Sequence, residues 1–101
     1  MYWNKGSAYL TNKMADVRTL VEKHPPMIFG LGEANITCHQ DLTDLQLIDY
    51  TLHLPLSIKN PEINLARVAV YMHKKLVVRR REDLEDSETQ AIFLECGLSN
   101  Q

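Results

Sequence analysis

The sequence contains few cysteines and no long apolar run. Its two cysteines, Cys38 and Cys96, lack the Cys-rich framework of small secreted proteins, so reduced thiols are expected rather than a disulfide. No stretch approaches the roughly 20 apolar residues that span a bilayer, and residues 1–5 carry no apolar signal-peptide segment. These features predict an intracellular protein with no membrane partner.

The sequence also has no excess of positive charge, with 11 Lys and Arg against 13 Asp and Glu. The formal net charge is -2 and the pI is about 6.0, so the chain as a whole does not attract phosphate. Any nucleic-acid contact must therefore come from a local patch or from a bound cation. Cys38 and His39 are adjacent, but no second Cys or His follows at the spacing of a zinc site, so a structural zinc is not expected.

The overall composition is that of an ordinary globular domain. Apolar residues make up 45% of the 101 residues and charged residues 24%, which argues against disorder. A chain of this length holds one core at most. The segments described below predict one α/β domain over residues 1–101, with one main helix and about five or six strands in a mixed or antiparallel sheet.

A helix is predicted between residues 10 and 24, where apolar residues recur every three or four positions. These residues are Leu10, Met14, Val17 and Val21. Thr11 or Asn12 would cap its start, and the pair Pro25-Pro26 would end it.

An apolar strand with a carboxylate at its end is predicted next. Residues 27–32 contain no polar side chain, which predicts a strand covered on both faces, and Glu33 follows directly. A carboxylate there is unfavourable to bury unless it is paired or bound to metal, and ligands of open α/β sheets gather at the carboxyl ends of strands. Spacing alone leaves two interpretations open for Glu33, an exposed loop glutamate or a metal ligand.

The remaining strands are predicted from alternating apolar residues. One strand is expected at residues 48–56, where Pro55 would be confined to an edge strand or to a strand terminus, and another at residues 91–96. A hairpin is expected from residues 68–78, with its turn at His73-Lys74-Lys75. Residues 35–43 and 57–64 are predicted to be loops, with one helical turn at Asp41–Leu45.

The charged run at residues 79–88 and the four histidines give little indication of a binding or catalytic site. Arg79, Arg80 and Arg81 are followed by five acidic residues at 82–88, which predicts a solvated turn in preference to a DNA-backbone contact. The four histidines, for which no orienting partner is evident, are predicted to be surface or capping residues. They are His24, His39, His53 and His73.

Three segments together resemble a known family. They are Trp3-Asn4-Lys5-Gly6, residues 10–14 and the segment Pro26-Met27-Ile28-Phe29-Gly30-Leu31-Gly32-Glu33-Ala34-Asn35. They look like the opening of endonuclease/exonuclease/phosphatase domains, especially those attached to the reverse transcriptases of non-LTR retrotransposons. Residues 48–50, 67–78 and 91–97 look like later strands of the same family, so the resemblance covers nearly the whole chain.

The resemblance implies a layered α/β sandwich and magnesium-dependent cleavage of DNA. In the family, a first strand delivers an asparagine and a second strand a glutamate that holds the catalytic magnesium; Asn4 and Glu33 match these two positions. They are therefore the expected catalytic and metal-binding residues, with Mg²⁺ or Mn²⁺ as the cofactor of the complete domain. A DNA substrate would be consistent with a nuclear location.

The sequence also departs from the family. The later tyrosine, the Gly-Asp-x-Asn segment and the Ser-Asp-His segment have no counterpart in it. The chain is thus expected to be the N-terminal portion of an incomplete, retroelement-derived domain that is inactive alone, which leaves open whether it is an enzyme. Its sheet could pair with the missing C-terminal half or with another chain.

Two alternatives remain open from the sequence. One is a non-catalytic α/β interaction module that uses an exposed sheet edge to pair with another protein. The other is a phosphatase or lipid-directed relative of the same superfamily, because the residues present do not distinguish substrates within it.

Overall fold

The structure, a computed structural model, describes residues 2–4, 13–32, 34–37 and 42–98, with residues 2–4 and Leu98 described by their backbone alone. Over these residues the protein is a mixed α/β fold with one α-helix and several strands, most of them antiparallel, in small sheets. The helix α1 is Met14–Lys23, and the strands are β1 Tyr2–Asn4, β2 Ile28–Gly32, β3 Ile36–Thr37, β4 Tyr50–His53, β5 Leu65–Ala66, β6 Ala69–His73, β7 Leu76–Arg80 and β8 Leu94–Leu98.

The largest sheet has the strand order β1-β2-β6-β4. Strand β1 runs parallel to β2, and β6 runs antiparallel to both β2 and β4. The carboxyl ends of β1, β2 and β4 therefore lie at the same side of the sheet as the amino end of β6. We call this side the carboxyl edge; its terminal strand residues are Asn4, Gly32, His53 and Ala69.

Helix α1 contributes one apolar face to the core. Met14, Val17 and Val21 are buried, which confirms the predicted helical periodicity. The helix begins at Met14 with Lys13 at its N-cap, and the predicted caps Thr11 and Asn12 lie outside the described residues. It ends at Lys23, two residues before the proline pair, as predicted.

The core lies between α1 and one face of the main sheet. Phe29 and Leu31 of β2 are buried there, whereas Ile28 is 42% exposed on the other face, so the prediction that both faces of this strand are covered is wrong at Ile28. The ring of Tyr71 stacks on that of Phe29 at 6.0 Å between centroids, and its hydroxyl donates to the Leu45 carbonyl oxygen at 2.6 Å. Tyr71 thereby joins β6 to the 3₁₀ turn Leu42–Leu45.

The predicted hairpin of residues 68–78 is wrong in its pairing. Both strands and the turn between them form, but β6 is flanked by β2 on one side and β4 on the other. No hydrogen-bonding edge of β6 is left for β7, because each strand has two edges. The chain instead leaves the main sheet after His73, and β7 pairs antiparallel with β8 in a separate sheet.

Other boundaries also differ from the prediction. Strand β4 is shorter than the predicted segment 48–56: it ends at His53, before Pro55, and it is an outer strand of the described main sheet, which fits the predicted edge or terminus. Strand β8 begins three residues later than expected, and the side chain of Cys96 is exposed with a free thiol. The two-residue strands β3 and β5, which pair with each other, lie in or next to segments predicted as loops.

Within the described part of the chain, no helix is long and apolar enough to cross a bilayer.

Candidate functional site

The carboxyl edge contains the backbone of Asn4, one of the two predicted site residues. In the parallel pairing of β1 with β2, Asn4 lies opposite Gly32, the residue that directly precedes Glu33 in the sequence. The backbone of Asn4 is described, whereas Glu33 lies outside the described residues. The backbones of β1 and β2 therefore end in register with each other at the carboxyl edge.

The chain on the far side of Glu33 is fixed by a main-chain hydrogen bond. Ala34 is fully buried, and its N–H donates to the carbonyl oxygen of Arg67 at 2.7 Å. Asn35 then adopts a left-handed backbone conformation with φ of 52°, which asparagine tolerates better than most residues. This bend leads into β3, so the residues on both sides of Glu33 belong to ordered hydrogen-bonded structure.

The segment that contains Gln90 stabilises this bend through hydrogen bonds. The side-chain amide of Gln90 accepts the Arg67 N–H at 2.7 Å and donates to the Leu65 carbonyl oxygen at 2.9 Å. The buried hydroxyl of Ser57 donates to the same Leu65 oxygen at 3.3 Å. Gln90 thus binds the backbone of Leu65 and Arg67, and Arg67 in turn binds the backbone of Ala34. The polar sequence around Gln90 gave no indication of this role.

His53 lies at the carboxyl edge, at the end of β4, and opens onto a cleft between β7 and the exposed face of the main sheet. The cleft has a volume of about 390 Å³, and its polar lining residues are Thr51, His53, His73, Lys74 and Arg80. Burial first, and then the neighbouring Arg80, lower the pKa of His53, while Glu85 acts in the opposite direction. The neutral imidazole is therefore favoured at neutral pH.

Arg80 is not available as a free cation in this cleft, because Glu85 neutralises it. Its Nε and Nη2 donate to the two carboxylate oxygens of Glu85 at 3.0 and 2.7 Å. The Glu85 side chain is 0% exposed and the Arg80 side chain 21% exposed. The hydrogen bonds from Arg80 lower the pKa of Glu85. The prediction of a solvated turn over this charge run is wrong at Glu85, which pairs with an arginine five residues earlier.

The same arginine joins the two sheets. Nη2 of Arg80 also donates to the Leu54 carbonyl oxygen at 2.5 Å, just beyond β4. Arg81, in contrast, pairs at the surface with Asp83 and Glu95. Arg80, paired with Glu85, therefore connects β7 to the chain that follows β4. Apart from Arg80, the lining residues of the cleft include one positively charged side chain, that of Lys74.

The histidines have different surroundings. His24 is exposed at the end of α1, and His39 lies outside the described residues. The ring of His73 meets the edge of Tyr50 at 5.1 Å, and its Nδ1 accepts the Lys75 N–H at 3.0 Å. His73 thus closes the turn between β6 and β7, which agrees with its prediction as a turn histidine.

The described side chains do not form a metal-binding site by themselves. Within residues 13–32, 34–37 and 42–98, no three His, Cys, Asp or Glu side chains come together as potential ligands. The metal ligands expected from the sequence, Asn4 and Glu33, remain predictions, because Glu33 and the side chain of Asn4 lie outside the described structure. Magnesium takes oxygen ligands and keeps several waters, so a carboxylate and an amide oxygen suit it without further protein ligands.

Comparison of the chain with protein-family models, with curated proteins and with solved structures found no match to any of them.

Proposed function

We propose that this chain is the N-terminal part of a magnesium-dependent, DNA-cleaving domain of the endonuclease/exonuclease/phosphatase type. Asn4 and Glu33 are its metal-holding residues, and the layered sandwich of that family is the fold of the complete domain. The proposal includes a retroelement origin, as the sequence resemblance implies. It rests on the sequence resemblance together with the strand arrangement at the carboxyl edge.

The observation that carries the proposal is the register between β1 and β2. These neighbouring strands are parallel, and Asn4 is opposite Gly32, so the asparagine and the glutamate position fall within one residue of each other at the same edge. An antiparallel β1 would have put Asn4 at the opposite end of the strands, and a shifted parallel register would have separated the two positions along them. The pairing supports a shared ligand for the two side chains.

The available oxygen atoms fit Mg²⁺ or Mn²⁺. The Glu33 carboxylate would be the main ligand and the Asn4 amide oxygen a second contact, with water or phosphate oxygens at the remaining positions. When bound, the ion would polarise a phosphoryl oxygen and stabilise the leaving oxygen. Because the whole chain has a net charge of -2, attraction of phosphate to this edge requires a local positive group, and a bound cation would supply one.

We expect binding without efficient cleavage. Family members activate water and stabilise the reacting phosphate with the Gly-Asp-x-Asn and Ser-Asp-His segments, neither of which occurs in this sequence. The residues at the carboxyl edge would therefore hold a metal ion and a phosphate, but no paired general base is evident among them.

Metal titration tests the proposal. Calorimetric Mn²⁺ binding should show one site in the wild type, and Glu33→Gln should weaken it by at least about tenfold, since losing even an outer-shell partner has effects of that size. Glu22→Gln is the matched control, because Glu22 is an exposed glutamate on α1. Equal affinity in the Glu33→Gln and Glu22→Gln proteins would refute the metal site, and efficient Mg²⁺-dependent nicking of plasmid DNA by the wild type would refute the expected inactivity.

A second candidate is an interaction module that pairs through its sheets. Val77 is 60% exposed on β7, and among the described strands β4 has one unpaired edge. Exposed apolar strand residues and open edges favour pairing with another chain. Light scattering after gel filtration distinguishes the candidates: a stable dimer that Val77→Lys dissociates, with no response to Mg²⁺, would favour this module over the nuclease.

A further inference from the structure

Arg67 occupies the carboxyl edge next to the chain that follows Glu33. It lies between β5 and β6, and its carbonyl oxygen accepts the Ala34 N–H at 2.7 Å. Two residues later, Ala69 pairs with Leu31 near the end of β2. The Arg67 backbone is therefore in direct contact with the proposed metal-binding segment.

The backbone of Arg67 is held from both sides. Its N–H donates to the Gln90 side chain at 2.7 Å while its carbonyl oxygen accepts from Ala34. Ala66 and Ala69, its near neighbours in sequence, are fully buried. A side chain that starts from a fixed backbone loses less conformational freedom on binding a ligand than one on a mobile loop.

The Arg67 side chain itself is exposed, unlike the side chains at the neighbouring positions. Three other arginines of the described chain are engaged, and Arg79 is exposed on β7 in the other sheet: Arg18 donates to the carbonyl oxygens of Asp44 and Gln46, and Arg80 and Arg81 bind carboxylates. In the described part of the chain, no ion pair involves the Arg67 guanidinium. It is a cation at the carboxyl edge that no carboxylate within the described ranges neutralises.

We propose that Arg67 binds a non-bridging phosphate oxygen of a phosphodiester at the carboxyl edge, with Gln90 as the residue that positions it. The proposal rests on the proposed function, because the metal at Glu33 would neutralise the other side of the same phosphate. Arginine suits this task, since its planar guanidinium donates two parallel hydrogen bonds to phosphate oxygens and stays charged at all relevant pH values.

DNA binding as a function of salt tests the role of Arg67. Anisotropy of a fluorescein-labelled 12-base-pair duplex would be measured with and without Mg²⁺ at several KCl concentrations. Arg67→Ala should weaken binding about tenfold, as expected for one charge-assisted hydrogen bond, and should reduce the slope of log K against log salt by about 0.9. Arg67→Lys should keep the slope and recover part of the affinity.

Arg79→Ala is the matched control, because it removes one exposed arginine from β7, in the other sheet. It should leave both affinity and slope unchanged. Equal losses in the two alanine variants would overturn the proposal, since they would indicate a general charge effect. Unchanged binding in Arg67→Ala would overturn it as well.

Glu33→Gln separates this inference from the proposed function. If Glu33→Gln removes the Mg²⁺-dependent part of the affinity while Arg67→Ala has no effect, the metal site stands and the role of Arg67 is refuted. If the wild type shows no Mg²⁺-dependent binding, the proposed function fails, and the Arg67 proposal, which depends on it, fails too. If Glu33→Gln abolishes the Mg²⁺-dependent part of the DNA affinity and Arg67→Ala reduces the salt slope, the metal site and the role of Arg67 are both supported.

Discussion

Replacing Glu85 with alanine tests how the β7–β8 sheet is held against the main sheet. The Glu85 carboxylate accepts two hydrogen bonds from Arg80 and one from the Phe93 N–H at 3.3 Å, and its side chain is 0% exposed. In the alanine variant, Arg80 keeps its hydrogen bond to the Leu54 carbonyl oxygen and a longer contact with the exposed carboxylate of Glu82 at 3.9 Å, but it loses its hydrogen-bonded countercharge. The partly buried guanidinium would then lack most of the compensation for its lost hydration.

The expected loss of stability follows from this burial. Breaking a buried ion pair by removing one partner destabilises by about 3–5 kcal/mol. The Arg80 side chain is 21% exposed and can regain some water, so the lower end, about 3 kcal/mol, is expected here. With a urea m-value of about 1.5 kcal/mol/M, the midpoint of unfolding should fall by about 2 M.

Urea unfolding followed by circular dichroism gives the measurement. Glu85→Gln should fall between wild type and Glu85→Ala, because the amide can accept one hydrogen bond from Arg80 but carries no charge. Asp83→Ala removes an exposed carboxylate from the neighbouring pair with Arg81 and should leave the midpoint unchanged. A midpoint for Glu85→Ala as high as that of Asp83→Ala would refute the structural role of the buried pair.

The pH dependence of stability gives an independent check of the same pair. The folded pKa of Glu85 is lowered from 4.5, chiefly by the hydrogen bond from Arg80. Its contribution is therefore fully present above the unfolded pKa and is lost as pH falls through the lower folded value. The wild type should lose stability below about pH 4.5 more steeply than Glu85→Ala. Parallel pH profiles would contradict this assignment.

Three further changes test other parts of the structure. The folded pKa of His53 is lowered from 6.5, so wild type should lose urea resistance as pH falls below that value, and His53→Gln should flatten this decline. Tyr71→Phe leaves a buried carbonyl without its donor and should lower the free energy of unfolding by about 1–2 kcal/mol in urea titrations. Gln90→Ala should speed hydrogen exchange at the Arg67 and Ala34 amides about tenfold, while α1 amides stay protected; unchanged exchange would contradict the positioning role.

Local sequence patterns predicted the parts of the fold that depend on one element at a time. The spacing of Met14, Val17 and Val21 indicated the buried face of α1, and the apolar segment 27–32 indicated β2. Pro55 indicated an edge strand or a strand terminus, and β4 ends at His53 and is an outer strand of the described main sheet. These features depend on periodicity and on backbone restrictions, which are visible within a few residues.

Features that depend on long-range pairing were not predicted. The turn at residues 73–75 suggested a hairpin, but β6 was already flanked by β2 and β4, which a local pattern cannot show. Glu85 looked like one member of a solvated charge run until its burial against Arg80 was known. Gln90 acts through residues more than 20 positions away and carries no local signal. For the candidate site, the sequence supplied Asn4 and Glu33, and the structure added the register between β1 and β2.

Manganese-induced broadening of backbone amide resonances would locate the proposed metal ion, because the paramagnetic effect falls off steeply with distance from the ion. Substoichiometric Mn²⁺ should broaden the amides of Gly32, Ala34 and Arg67 first, and Glu33→Gln should abolish this effect. Broadening that begins instead at His53 and His73, in the cleft between the sheets, or that persists in Glu33→Gln, would contradict a metal site at the carboxyl edge.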